Sequence, residues 1–304
     1  MTLVSSLPSQ LDQSVIAVPP LARDVHGAID QRENEKIVRF IEAGGISLLL
    51  YGGNANIYHL PMKEYEPLLG MLTEIQNGST RIIPSAGPTF GLLMDHATIL
   101  RQFSFPTVMV LPQHGVTTSA GVATGIRRFV EMSAVSVMLY IKQDDYIDPG
   151  DVAKLTRDGL LSAIKYATVR DDPESDSYLR QVVDLVDPSL IVSGIGEQPA
   201  IIHMREFGLA GFTTGCGCLA PRLSQALLQA IRRNEWDQAE RIQQIFMPLE
   251  ALRNTLSPIR VLHEAVQSVG IATTGPLLPL LNNIEECHTE EIAEASRDLV
   301  GRSV

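Results

Sequence analysis

Lys165 lies in Leu160-Leu161-Ser162-Ala163-Ile164-Lys165-Tyr166-Ala167-Thr168, an apolar, strand-like run whose members belong in a core and which does not suit an ammonium group. An amine desolvated in such a place has its pKa lowered, and its neutral form can attack a ketone to make a Schiff base. The chemistry suggested is covalent catalysis. The structural alternative is a lysine at a strand end whose head reaches solvent along its alkyl stem. Tyr140 closes a similar run, Val135-Ser136-Val137-Met138-Leu139-Tyr140. A phenol on the strand beside the amine can relay protons to a carbinolamine or to a departing oxygen. Lys142 is a candidate substrate-binding cation, or a solvated lysine.

Other segments could hold a substrate. Gly52-Gly53-Asn54-Ala55-Asn56 offers backbone N–H groups and two amide side chains, which suit a carboxylate, although it also reads as an asparagine-rich turn. Ser193-Gly194-Ile195-Gly196-Glu197 offers close backbone approach and one carboxylate, and Thr213 and Thr214 offer hydroxyls. Both sets could bind a polyol or oxo-acid tail, or be turn residues. His114, in Pro112-Gln113-His114-Gly115, could act as acid or base near neutral pH or face solvent. Cys216 and Cys218 flank Gly217 without a partner pair at zinc-site spacing, so no metal is expected. Three cysteines are an odd number, which argues against a disulfide framework.

These groups need strands that end at one level. Short aliphatic runs occur near 14–18, 46–51, 81–85, 107–111, 135–141, 160–165, 189–193 and 209–214, with helical spacing of apolar residues between them. The runs are apolar almost throughout, as parallel strands covered on both faces must be. Eight such units predict a (β/α)₈ TIM barrel with its active site at the C-terminal strand ends. An open doubly wound sheet is disfavoured, because Gly194-Ile195-Gly196 lacks the third glycine of a dinucleotide fingerprint. Pro221 to Arg233, Trp236 to Thr255, Ile259 to Val269 and Glu285 to Arg302 read as further helices. The domain expectation is therefore a barrel over 1–220 and a C-terminal helical extension over 221–304 packed on it.

The net charge of -11, with scattered Lys and Arg, leaves no basic footprint for nucleic acid or an anionic membrane. The apolar runs are far shorter than the roughly 20 residues of a membrane span. Met1 to Val15 lacks the basic and apolar regions of a secretory signal, so a cytoplasmic location is expected.

With lysine, tyrosine and eight strands together, residues from about 14 to 284 resemble the dihydrodipicolinate synthase / N-acetylneuraminate lyase family of class I aldolases. The matching motifs are Leu139-Tyr140, Ala163-Ile164-Lys165-Tyr166-Ala167-Thr168, the loop Gly53 to Asn56, Ser193-Gly194, and Thr274-Gly275-Pro276-Leu277-Leu278-Pro279-Leu280. The resemblance implies a Schiff base between Lys165 and pyruvate or another 2-oxo acid, Tyr140 as proton relay, no cofactor, and a homotetramer built from dimers, or a homodimer. The chain also departs from the family. Asn54-Ala55-Asn56-Ile57 replaces the usual hydroxyl-bearing Thr-Thr-Gly-Glu, Gln113-His114 replaces a tyrosine pair, and the arginine that synthases carry after the strand-five tyrosine is missing. These departures speak against a role in lysine biosynthesis. The leading expectation is an aldolase that cleaves a 2-oxo acid to pyruvate and an aldehyde. The alternatives are a dehydratase of a 2-keto-3-deoxy sugar acid using the same lysine, and a non-catalytic barrel that binds an oxo acid.

Overall fold

The structure is a computed structural model that describes residue 7 and residues 10–76 and 80–303. Residues 1–6, 8 and 9, part of the stretch read for a leader, lie outside the described residues. The aliphatic runs form nine parallel strand segments: β1 (Ile16–Ala17), β2 (Leu48–Leu50), β3 (Arg81–Ile83), β4 (Ser85–Ala86), β5 (Val108–Val110), β6 (Val137–Ile141), β7 (Leu161–Tyr166), β8 (Ile191–Ser193) and β9 (Gly211–Thr214). Their order around the sheet is β3-β2-β1-β9-β8-β7-β6-β5-β4. The two ends of that order are consecutive in the chain. β3 and β4 are halves of the expected third strand, divided at Pro84, which has no N–H for a ladder. The Pro84 carbonyl still accepts from the Met109 N–H at 2.9 Å, and the Ile83 carbonyl accepts from the Tyr51 N–H at 2.9 Å. The sheet therefore returns on itself as a TIM barrel with all eight expected runs in its wall, and the open-sheet alternative is excluded.

Helices α1 (Gln31–Ala43), α2 (Met62–Ile75), α3 (Phe90–Leu100), α4 (Ser119–Ser133), α5 (Pro149–Arg157), α6 (Ser177–Leu185) and α7 (Ala200–Phe207) alternate with the strands. α8 (Pro221–Arg232) follows β9, packs against α7 and α9, and meets the end of α1, where a Cβ on Gly44 would stand 2.2 Å from Pro221 Cγ. α9 (Trp236–Thr255), α10 (Pro258–Ser268) and α11 (Glu286–Arg302) then pack on one another. None of the described helices is long and apolar enough to cross a membrane. Along α9 the buried positions Ala239, Ile242, Phe246, Leu249, Glu250 and Arg253 form one helical stripe, which ends in two charged residues.

One irregularity sets the phase of the site. β6 and β7 pair Val137 with Leu161 but Met138 with Ala163, so Ser162 is an extra residue and the register advances by one. Tyr140 then stands opposite Lys165. In-register neighbours share a face and successive residues alternate, so without the bulge Tyr140 would oppose Ile164 and Lys165 would lie on the other side of the sheet. The Ser162 hydroxyl hydrogen-bonds Thr107, whose own hydroxyl donates to the Ser136 carbonyl at 2.8 Å, tying the bulge to two neighbouring strands.

The C-terminal segment is pinned beside the first strand's loop. The Arg23 N–H donates to the Thr274 carbonyl at 2.9 Å, and a Cβ on Gly275, whose φ is 68°, would sit 1.9 Å from the Arg23 carbonyl oxygen. Gly275→Ala is therefore expected to cost about 3 kcal/mol or more. Gly270→Ala, with φ 75° but open space around it, should cost only about 1–2 kcal/mol. Thermal melts of the two variants check the contrast.

Candidate active site

At the C-terminal ends of β6 and β7, Lys165 is 4 % exposed and its Nζ stands 4.4 Å from the centre of the Tyr140 ring. The flanking residues of β7 turn the other way. Tyr166, for example, donates its hydroxyl to Asp176, the N-cap of α6, at 2.5 Å. Burial pushes the Lys165 amine down to about 7, and the charges of Lys142 and Arg253 push in the same direction. A substantial neutral fraction therefore exists near neutral pH, which is the form that attacks a carbonyl. Burial, with the neighbouring Tyr58 phenol, raises Tyr140 above the range of an ordinary phenol, so it keeps its proton until one is demanded of it.

A cavity of about 300 Å³ opens over this pair. Of the residues singled out from sequence, Gly53, Asn54, Tyr140, Lys165, Gly194, Gly196 and Thr213 line it, as does Lys142. Asn54 is clamped from both sides. Its Nδ2 donates to the Val18 carbonyl at 2.8 Å, and its own carbonyl lies 3.0 Å from His263 Nε2. His263 must therefore present Nε2–H, in keeping with burial holding it neutral, down to about 4. The N–H groups of Asn54 and Ala55 make no hydrogen bond among the described residues, so the loop retains backbone donors for a carboxylate.

The other sequence candidates lie outside that lining. Ala55 and Asn56 are buried behind the loop, with Asn56 in the left-handed region at φ 53°. His114 is exposed on the loop after β5. Thr214 follows Thr213 on a strand, so its side chain must face the opposite way, between the sheet and α8. There its hydroxyl and that of Ser224, the latter at 2.9 Å, bond to Glu197, which is fully buried.

Sequence reading missed the contributions of Tyr58 and of α9. Tyr58 follows the β2 loop and lines the cavity, its phenol pushed up to about 12 by burial. Glu250 and Arg253 also line it, joined by a 2.7 Å bond from Arg253 Nη1 to Glu250 Oε1. Two glycines make room for this pair: a Cβ on Gly196 would stand 3.0 Å from both Glu250 oxygens, and one on Gly215 would stand 2.5 Å from Arg253 Cζ and Nη2. The one available clue was a Glu/Arg pair at i,i+3 continuing an apolar stripe. Behind it, donor atoms of Glu197, Cys216 and Glu250 lie within 4.8 Å of one another. Arg253 Nη1, 2.7 Å from Glu250 and 3.9 Å from Cys216 Sγ, supplies the positive charge at that point. Burial, and then the charge of Glu250, push the Glu197 carboxyl above the usual carboxylate range.

A family model described as the dihydrodipicolinate synthetase family matches residues 13–297. The chain belongs to that family. It is 23% identical over 282 residues to a 4-hydroxy-tetrahydrodipicolinate synthase of Exiguobacterium sibiricum, covering 90% of this chain and 94% of that one. Among solved structures, dihydrodipicolinate synthase from Bacillus clausii superposes with a TM-score of 0.84 at 22% identity, covering 97% of this chain and 99% of that one. Ruminococcus gnavus sialic acid aldolase superposes with a TM-score of 0.83 at 11% identity, covering 96% and 98%. At such identities these structures are similar to this family member in fold.

Burial of the Lys165 amine also marks stability. Its folded pKa, about 7, lies below the 10.5 of a free lysine, so between those values the unfolded chain holds one more proton than the folded one. Stability contributed by this group therefore rises with pH across that window, and below it the full cost of burying an ammonium applies. Lys165→Met is expected to stabilise the protein at pH 6 by on the order of 3 kcal/mol, with the gain shrinking toward pH 10. Denaturation at a series of pH values measures it.

Proposed function

We propose that the protein is a Schiff-base-forming lyase that cleaves a 2-oxo acid reversibly to pyruvate and an aldehyde. The observation that carries this reading is the desolvated amine of Lys165 set 4.4 Å from the Tyr140 ring centre inside one small cavity. The substrate carboxylate takes the free N–H groups of the Asn54 loop. The neutral amine attacks the ketone carbon, and the carbinolamine loses water as Tyr140 passes a proton to the departing oxygen. The resulting iminium accepts the electron pair of the bond between C3 and C4 when that bond breaks. The C4 hydroxyl proton leaves as the aldehyde forms, and an equivalent proton returns to C3. Hydrolysis of the iminium then frees pyruvate and Lys165.

A second reading is loss of water from a 2-keto-3-deoxy sugar acid through the same lysine. The cavity wall holds the carboxyl group of Glu250, an acid–base group in addition to Tyr140. Product analysis separates the two, since pyruvate appears only in cleavage.

Incubation with pyruvate and borohydride should add mass at Lys165 alone, and an unmodified lysine sinks both readings. The trapping rate should climb with pH through about 7 as the amine loses its proton and level off above it. Tyr140→Phe should retain folding and slow turnover by roughly 10²–10⁴-fold.

A further inference from the structure

The loop after β2 is held in shape from outside the barrel wall. Asn54 and Ala55 are joined by a trans peptide, so the Asn54 carbonyl and the Ala55 N–H lie in one plane and point in opposite directions. Whatever grips the carbonyl therefore aims the N–H. The grip comes from His263 on α10, whose Nε2–H lies 3.0 Å from the Asn54 carbonyl oxygen. His263 is buried and is not one of the residues that line the cavity. The carbonyl is thus drawn away from the cavity, and the Ala55 N–H, which makes no hydrogen bond among the described residues, is turned to the opposite side.

The helix that carries this ring is itself fixed at that level. The Thr274 hydroxyl donates to the His263 carbonyl at 3.1 Å, and the Thr274 carbonyl accepts from the Arg23 N–H at 2.9 Å. As a packing residue, however, a histidine is a poor choice here. Its Nδ1 is buried without a partner among the described residues, a desolvation that phenylalanine or leucine would avoid. Among the described residues the ring makes one hydrogen bond, and it is the one to the loop.

We propose that His263 is a positioning residue for the substrate carboxylate: by holding the Asn54–Ala55 peptide it sets how tightly a 2-oxo acid binds, and it takes no part in bond making at Lys165. This rests on the Schiff-base reading above. A hydrogen bond to a carboxylate is stronger than one between neutral groups, so a misdirected N–H is felt in affinity. The carboxylate is present before and after the imine forms, so the loss falls on binding and leaves the rate at saturation in place.

The test is borohydride trapping at Lys165 in the full chain, run over a range of pyruvate concentrations and again with acetone, which has a ketone and no carboxylate. His263→Met fills the site without a donor. His263→Gln, of similar length and shape, carries an amide N–H as many bonds from the backbone as Nε2. The methionine variant is expected to need about tenfold more pyruvate for half-maximal trapping, with a rate at saturation within about twofold of the unaltered protein. The glutamine variant should recover most of the lost affinity. Trapping by acetone should be the same in all three proteins. His263→Phe, which keeps a ring, takes the place of the methionine variant if that chain does not fold. Equal pyruvate requirements in all the variants, or a loss that acetone shares, overturn the positioning role alone, as does failure of both donorless chains to fold. Absence of trapping by pyruvate in the unaltered protein overturns the Schiff-base reading and this proposal with it.

Discussion

Water stabilises an ammonium group far better than the mouth of an apolar barrel does, and the amine of Lys165 is held in that mouth by a strand it cannot leave. The arrangement around it follows from that constraint. The neighbouring aromatic ring gives the amine a soft electrostatic partner without returning its solvation, and the charges of Lys142 and Arg253 make its protonation less favourable. Among the described residues no carboxylate pairs with the amine. A glutamate in ion-pair contact would restore the ordinary lysine pKa and remove the nucleophile, and Glu250, which also lines the cavity, is instead committed to Arg253.

The barrel supplies this environment only because two strands are in phase. A single extra residue at Ser162 decides on which side of the sheet the lysine points, and hydrogen bonds to a third strand hold that residue in place. Chemistry at the strand ends is thus tied to an irregularity several residues below, near the barrel floor. Farther out, the loops after β6 and β7 are joined through Arg170, which links Asp144 on one to Asp176 at the start of α6. The lysine and the tyrosine are therefore fixed relative to each other both beneath and above.

Much of this was legible in the residues. Continuous aliphatic runs of strand length identified every barrel strand, and a lysine ending one of them stood out because its neighbours had no reason to tolerate it. A tyrosine closing the preceding run, Tyr140, then stood out as its partner, and the family motifs agreed. The division of the third strand at Pro84 follows from the missing N–H of proline and could have been anticipated. Thr213 and Thr214 could also have been separated, since adjacent strand residues face opposite sides and only one can look inward. The pairing of Glu250 with Arg253 was harder to see. On a long polar helix an i,i+3 charge pair ordinarily means a solvated face, and only the placement of α9 across the barrel mouth makes it part of the cavity. The asparagines of the β2 loop looked alike in sequence, yet backbone conformation separated them, with Asn54 on the cavity and Asn56 turned under it.

Gly196 and Gly215 leave vacant the space that Glu250 and Arg253 fill, and this divides the evolutionary work of the protein between two layers. The strands carry the nucleophile and its ring, and a change there disturbs a ladder shared by the whole wall. The helix that reaches over the barrel belongs to no ladder, so residues 250 and 253 can drift without moving the reacting lysine. Descendants of this chain that take up new substrates would be expected to differ first on that outer helix, while the two glycines, which must stay small for any long side chain to enter from above, record that the exchange is possible.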